Sequence, residues 1–91
     1  MKKYAEGNRQ DIIEKINGLT SETDAAIKAK TKAIQLIEKG FSKTNIPGIV
    51  DLWWVKTQLG SYASHVPEEE AKDIFIRSMQ IMEQKCKKTQ I

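Results

Sequence analysis

The sequence is short of the residues that build catalytic and metal sites. Its 91 residues include one cysteine, Cys86, and one histidine, His65. A single cysteine cannot form an internal disulfide, and one cysteine with one histidine falls short of the four ligands of a structural zinc site. The sequence also lacks a glycine-rich phosphate loop and a histidine–glutamate pair at metal-binding spacing. We therefore expect a non-enzymatic protein from a reducing compartment, with no metal and no cofactor.

Long hydrophobic runs and chain-breaking residues are also scarce. No apolar run approaches the length of a transmembrane helix, and the polar residues after Met1-Lys2-Lys3 do not supply the apolar segment of a signal peptide. The protein is therefore expected to be cytoplasmic. Two prolines and five scattered glycines leave no low-complexity linker, and 91 residues suit a single domain.

An excess of charge of one sign is present but small. The formal net charge is +3, with 30% charged and 40% apolar residues, which is the composition of an ordinary globular protein. This excess favours non-specific contacts with anions, but it is below the charge density of a dedicated nucleic-acid module. Any binding of nucleic acid is therefore expected to be weak.

What the chain does have is helical periodicity. Apolar residues recur at three- and four-residue steps in four segments, and no alternating run bounded by a tight turn indicates a strand. The pattern predicts an all-α fold, an antiparallel four-helix bundle in one small domain. The predicted helices span about 8–17, 21–39, 46–64 and 67–88, and residues 1–7 are expected to extend the first helix or to fray.

Local signals predict where these helices begin and end. Asn8 and Ser21 are the predicted N-caps of the first two helices, and Gly18 and Gly40 are the predicted glycine stops, Gly18 in the left-handed conformation. Pro47 is placed in the first turn of the third helix. The third helix is the most apolar segment of the chain, which favours a central position in the bundle.

Two adjacent tryptophans give the third helix its most informative feature. Neighbouring residues on a helix point about 100° apart, so both rings cannot face the same core. The pattern predicts that Trp53 is buried and that Trp54 lies on a polar edge with Asp51, Gln58 and His65. Two interpretations stay open for Trp54: an exposed aromatic anchor for a partner, or a ring covered by another segment.

Lysines on the second helix offer a second surface. Lys28, Lys32 and Lys39 follow one outer face, which is either a solvated face or a contact for an acidic protein or a phosphate backbone. Lys30 and Lys56 fall among apolar positions instead. They either extend along apolar surface to reach water, or pair with a buried acid, or lie where the bundle opens toward a partner.

The cysteine and the histidine are interpreted structurally. Lysines beside Cys86 favour a reactive thiolate, but its register with Met79 and Met82 favours packing on an inner helix face, which we prefer. We interpret His65 as a solvated residue at a helix end, because no neighbouring acid orients the ring for catalysis.

The residues LIEKGFSKT at 36–44 end the second helix. Over this segment, and in size and architecture, the chain resembles the small four-helix immunity proteins that protect producers of antilisterial bacteriocins. It also resembles the small helical inhibitors encoded by phages and mobile elements. The first resemblance implies action at the inner membrane face with a membrane receptor. No functional residue is carried across, because the architecture is common to many unrelated functions.

Together these features favour a non-catalytic binding protein, an inhibitor or adaptor of phage or mobile-element type that occludes the surface of another protein. The alternatives are an immunity-type protein at the inner membrane face and a weak nucleic-acid-binding regulator, and the sequence leaves a homo-oligomer open. The residues predicted to contact a partner are Asp51, Trp54, Gln58, His65, Lys28, Lys32 and Lys39.

Overall fold

Pairs of helices are separated by short strands in the structure, a computed structural model that describes residues 3–88. Their order is β1 (Tyr4–Gly7), α1 (Arg9–Asn17), α2 (Asp24–Ser42), β2 (Ile49–Asp51), α3 (Leu52–His65), α4 (Glu69–Lys85) and β3 (Cys86–Lys88). The predicted all-α fold class is wrong, because the strands form a sheet and the protein is a small mixed α/β domain. Met1 and Lys2, which entered the signal-peptide prediction, lie outside the described residues.

The three strands form an antiparallel sheet in the order β2-β1-β3. In the register of β1 with β2, Ala5 lies opposite Val50, and both side chains are fully buried. Strands alternate their side chains between two faces, so this pair marks the face that packs on the helices. The sheet therefore joins the beginning of the chain, the connection before α3 and the end of α4.

The connection between α2 and α3 explains why the predicted third helix begins too early. Asn45 and Gly48 have φ angles of 57° and 80°, in the left-handed region that a right-handed helix cannot contain. Pro47 lies between them, in a turn and not in a helix. The Thr44 hydroxyl lies 2.8 Å from the carbonyl oxygen of Ile49, to which it donates. The chain therefore enters β2 first, and α3 begins only at Leu52.

The sheet also shortens the other predicted helices. The fourth helix ends at Lys85 and not at residue 88, because Cys86 and Lys87 pair with Gly7 and Glu6 of β1. Residues 4–7 likewise form a strand and do not extend α1. In both places the backbone groups find their hydrogen bonds in a distant segment, which a local pattern does not reveal.

The N-caps of the first two helices follow the prediction at one site only. Asn8 is confirmed as the N-cap of α1, since its side chain accepts a hydrogen bond of 3.0 Å from the backbone N–H of Asp11. The prediction for Ser21 is wrong. Thr23 caps α2 and accepts a bond of 3.1 Å from the N–H of Ala26, whereas the Ser21 hydroxyl is buried and has no hydrogen-bond partner among residues 3–88.

One predicted glycine stop is confirmed and the other is wrong. α1 ends at Asn17 and Gly18 is its C-cap, but Gly18 has φ −75°, in the right-handed region and not in the predicted left-handed one. Gly40 lies inside α2, which continues to Ser42. A Cβ atom built on Gly40 would overlap the side chain of Val55 and lie 3.1 Å from a methyl group of Val50. Gly40 therefore allows α3 and β2 to pack directly on the backbone of α2.

Ion pairs between the helices show that α4 runs antiparallel to α3 and that its end lies beside the start of α1. Lys85 near the end of α4 pairs with Asp11 at the start of α1 at 3.3 Å, and Lys56 early in α3 pairs with Glu83 late in α4 at 2.9 Å. The helices bury a shared apolar core against the sheet. Its fully buried large apolar side chains are Ile12, Ile16, Ile37, Leu59, Met82, Val50 and Val55.

Candidate functional site: the surface between α2 and α3

Lysines of α2 and aromatic residues of α3 meet along the surface between these two helices. On α2 the four-residue steps from Lys28 to Lys32 and from Lys39 to the C-cap residue Lys43 keep the lysines on one face. We call this surface the basic seam. It comprises Lys28, Lys32, Lys39 and Lys43 on the α2 side, and Trp54, Gln58, Tyr62 and His65 on the α3 side.

Two cation–π contacts connect the two sides of the basic seam. The Lys32 ammonium lies 5.2 Å from the ring centre of Tyr62, and the Lys43 ammonium lies 4.8 Å from that of Trp54. Both distances are within the range in which a cation is attracted to an aromatic face. Each contact joins one residue predicted to bind a partner, Lys32 or Trp54, to one that was not predicted. Lys43 and Tyr62 were missed by the sequence reasoning, because their roles depend on contacts between two helices.

The polar residues of the predicted α3 edge also stabilise the helix itself. The Asp51 carboxylate accepts a bond of 3.1 Å from the backbone N–H of Trp54, so Asp51 is the N-cap of α3. The Nδ1 atom of His65 lies 2.7 Å from the carbonyl oxygen of Ser61, and the ring is exposed at the end of the helix. Gln58 lies between them and is partly exposed.

The prediction that Trp53 is buried is wrong, because Trp53 is 49% exposed. Of the two interpretations left open for Trp54, the covered ring agrees better with the structure, since Trp54 is only partly exposed and packs against the core. The reason is the start of the helix: with α3 beginning at Leu52, its buried stripe is Leu52, Val55 and Leu59. Trp53 points away from this stripe, while Trp54 lies at its flank toward α2.

The two unusual lysines have partners within the chain. The Lys30 ammonium donates to the carbonyl oxygens of Asn17 and Leu19, both at 3.1 Å, and so satisfies acceptors at the end of α1. Lys56 pairs with Glu83, and both side chains are substantially exposed.

A groove of about 350 Å³, which we call the apolar groove, lies at the end of the basic seam where α2, α3 and α4 meet. Its floor and wall are formed by Ala25, Ala29, Ala71, Phe75, Tyr62 and Val66. Lys28 and Lys32 stand on its α2 rim, and Glu68 stands on the opposite rim. The sequence did not predict this groove, since its residues come from three helices and share no local pattern.

The environment of Cys86 supports the packing interpretation. Cys86 lies in β3, is partly buried, and packs against the core. Burial raises the pKa of the Cys86 thiol to about 11, so the thiolate is rare near neutral pH. Gly7 is its close neighbour, because a Cβ atom on Gly7 would lie 2.7 Å from the Cys86 sulfur.

Within residues 3–88 no group of three or more histidine, cysteine, aspartate or glutamate side chains is arranged to hold a metal ion. In the same part of the chain no helix has the length and apolar character needed to cross a bilayer.

No protein family, curated protein or solved structure matches the chain. The architectural resemblance to four-helix immunity proteins loses its structural basis, because the fold includes a sheet and α2 continues through Gly40. The chemistry of the basic seam and the apolar groove is therefore the basis for a functional proposal. Aromatic residues are enriched in protein interfaces, and charged groups at the polar rim contribute specificity.

Proposed function

We propose that the protein is a non-catalytic binding protein, an inhibitor or adaptor that uses the basic seam to cover an acidic surface of another protein in the cytoplasm. The observation that carries this proposal is the pair of lysine ammonium groups held 5.2 and 4.8 Å from aromatic rings of α3. The rings supply apolar contact area at low entropic cost, and the lysines select a partner of negative charge.

Two carboxylates support a protein partner over a nucleic acid. Asp51 lies at the Trp54 end of the basic seam, and Glu68 lies on the rim of the apolar groove at the other end. A phosphate backbone that followed the lysines would meet a negative charge at both ends. A protein surface can match lysines and carboxylates with its own mixed charges. The apolar groove adds a place for a side chain that a phosphate backbone does not have.

The test is affinity capture from the native host with mass spectrometry, using the wild-type chain and two charge variants. The seam variant is Lys32→Glu with Lys43→Glu, which removes both cation–π contacts. The control variant is Lys15→Glu with Arg77→Glu, two exposed residues of α1 and α4 outside the seam. Both variants change the net charge by the same amount, so a difference between them reports on the surface and not on the total charge.

We expect one stoichiometric protein to be captured by the wild-type chain and the control variant, and to be lost from the seam variant. Equal capture by all three chains would contradict the proposed surface. The half-exposed Trp53, on a different face of α3, would then be the first alternative to test. Recovery of nucleic acid in place of a protein would contradict the proposed class of function.

A further inference from the structure

We propose that the apolar groove receives one apolar side chain of an acidic amphipathic helix of the partner, with carboxylates of that helix paired to Lys28 and Lys32. This inference rests on the proposed function, since it names the kind of segment that binds the basic seam. Three observations support it: the shape of the groove, the charges on its rims, and the length of the row of seam lysines on α2.

The floor of the groove is apolar and low. Ala29, Ala71 and Phe75 are 4%, 3% and 2% exposed, so they close the groove below, while the partly exposed Ala25, Tyr62 and Val66 supply the apolar surface that a ligand can contact. The Tyr62 and Phe75 rings are stacked, with their centres 5.4 Å apart and their planes at 19°. A recess of about 350 Å³ with an aromatic side and small floor residues suits a branched aliphatic or aromatic side chain.

The charges on the two rims select the flanks of the segment. Lys28 and Lys32 are one helical turn apart, so their side chains start about 6 Å from each other on one face. Carboxylates one turn apart on a partner helix have the same spacing. Glu68 on the opposite rim favours a cation on the other flank of that helix. The expected segment has an apolar face with acidic residues on one side and basic residues on the other.

The length of the lysine row sets the length of the segment. From Lys28 to Lys43 the chain advances 15 residues, or about 22 Å at 1.5 Å per residue. A partner helix of about four turns can lie along this row while it inserts one anchor into the groove. Helices that bind in grooves use this arrangement of anchors on one face.

The probe is a fluorescein-labelled helical peptide of 15 residues with a leucine face, glutamates on one flank and lysines on the other. Binding to the full chain is measured by fluorescence anisotropy in 0.15 M salt, close to physiological ionic strength. A second peptide carries alanine in place of leucine. The protein variants are Lys28→Glu with Lys32→Glu on the rim, and Ala25→Phe to fill the groove. Their controls are Lys15→Glu with Arg77→Glu, and Thr31→Phe on the exposed outer face of α2.

We expect the rim variant and Ala25→Phe to weaken peptide binding at least ten-fold, and both controls to stay within about two-fold of wild type. Circular dichroism of each variant confirms that the fold is retained. Equal affinity for the leucine and alanine peptides, or binding that Ala25→Phe leaves unchanged, would overturn the inference. Tighter binding of single-stranded DNA than of the peptide would overturn it as well.

The two proposals fail separately in these experiments. If the peptide does not bind but capture from the host depends on Lys32 and Lys43, the groove inference is wrong and the binding function stands. If the peptide binds at the groove but capture is unaffected by the seam variant, the groove accepts such helices while the proposed biological surface is wrong.

Discussion

Trp53 and Trp54 are neighbours in the chain with different physical roles. Trp54 packs against the core and carries the Lys43 ammonium over its ring, so it contributes both to the fold and to the basic seam. Trp53 exposes 49% of its surface, and its backbone N–H donates to the carbonyl oxygen of Lys3 at 3.1 Å. Its ring therefore contributes less to the buried area than its size suggests.

Replacing each tryptophan by alanine should separate these roles. Trp54→Ala removes packing at the flank of the core and should lower the free energy of unfolding by about 2 kcal/mol or more, toward the lower end for large core truncations. Trp53→Ala should lower it by less than about 1 kcal/mol, because about half of the residue already meets water. Urea denaturation followed by circular dichroism measures both values. A larger loss for Trp53→Ala than for Trp54→Ala would contradict the described packing of the two rings.

Gly40 and Gly60 are both inside helices, and alanine should affect them in opposite directions. At Gly40 a Cβ atom overlaps Val55, so Gly40→Ala should destabilise the fold by about 1–3 kcal/mol although alanine is the better helix former. At Gly60 a Cβ atom meets nothing within 4 Å, so Gly60→Ala should stabilise it by about 0.5–1 kcal/mol. Thermal unfolding of the two variants beside wild type is the measurement. Stabilisation by Gly40→Ala would show that α3 and β2 do not pack on this part of α2.

At the scale of elements, side chains supply hydrogen-bond partners for backbone groups at the helix ends. Asn8, Thr23 and Asp51 cap the starts of α1, α2 and α3, while Lys30 satisfies carbonyl groups at the end of α1. α4 begins without a side-chain cap hydrogen bond from Glu68 but carries two glutamates in its first turn. Their charge favours the N-terminal end of the helix dipole.

The start of α2 allows a direct test of which residue is the cap. Thr23→Ala removes the acceptor of the Ala26 N–H and should cost about 1 kcal/mol of stability. Ser21→Ala removes a buried hydroxyl that has no hydrogen-bond partner in the described part of the chain, so it should be neutral or slightly stabilising. Chemical denaturation of both single variants gives the comparison. If Ser21→Ala were the more costly change, α2 would begin earlier than Asp24.

The sequence was sufficient to predict those elements whose signals lie within one segment of the chain. The apolar periodicity of α1, α2 and α4 and the cap at Asn8 lie within single segments, and these helices were placed close to their observed positions. The sheet could not be predicted in this way, because Ala5 pairs with Val50 and with residue 88, far away in sequence. Ile49 and Val50 also fit an apolar helix stripe, so the pattern alone did not distinguish a short strand from a helical turn.

At the scale of the whole molecule, the candidate site also combines a feature with a local signal and a feature that depends on distant segments. The face of α2 lysines was predicted from one helix, while the apolar groove required the packing of three.

Charges are also separated along the molecule. Acidic residues from the starts of α2 and α4 lie together, including Glu22, Glu69 and Asp73, whereas Lys39, Lys43 and Lys85 lie near the ends of their helices toward the sheet. Helix dipoles favour both placements.

Carboxylates along the basic seam lead to the expectation for nucleic acids. A long polyanion that contacted the basic seam would also approach carboxylates such as Asp51 and Glu68, so binding should be weak. At most four seam lysines contact phosphates, which predicts a slope of log K against log salt of about −3 for single strands, and a shallower one if fewer contacts form. Titration of labelled single-stranded and duplex DNA at two salt concentrations measures this slope, with Lys15→Glu/Arg77→Glu as the charge-matched control for Lys32→Glu/Lys43→Glu. Tight, sequence-selective binding that survives physiological salt and is lost only in the seam variant would make a nucleic-acid regulator the better explanation of this surface.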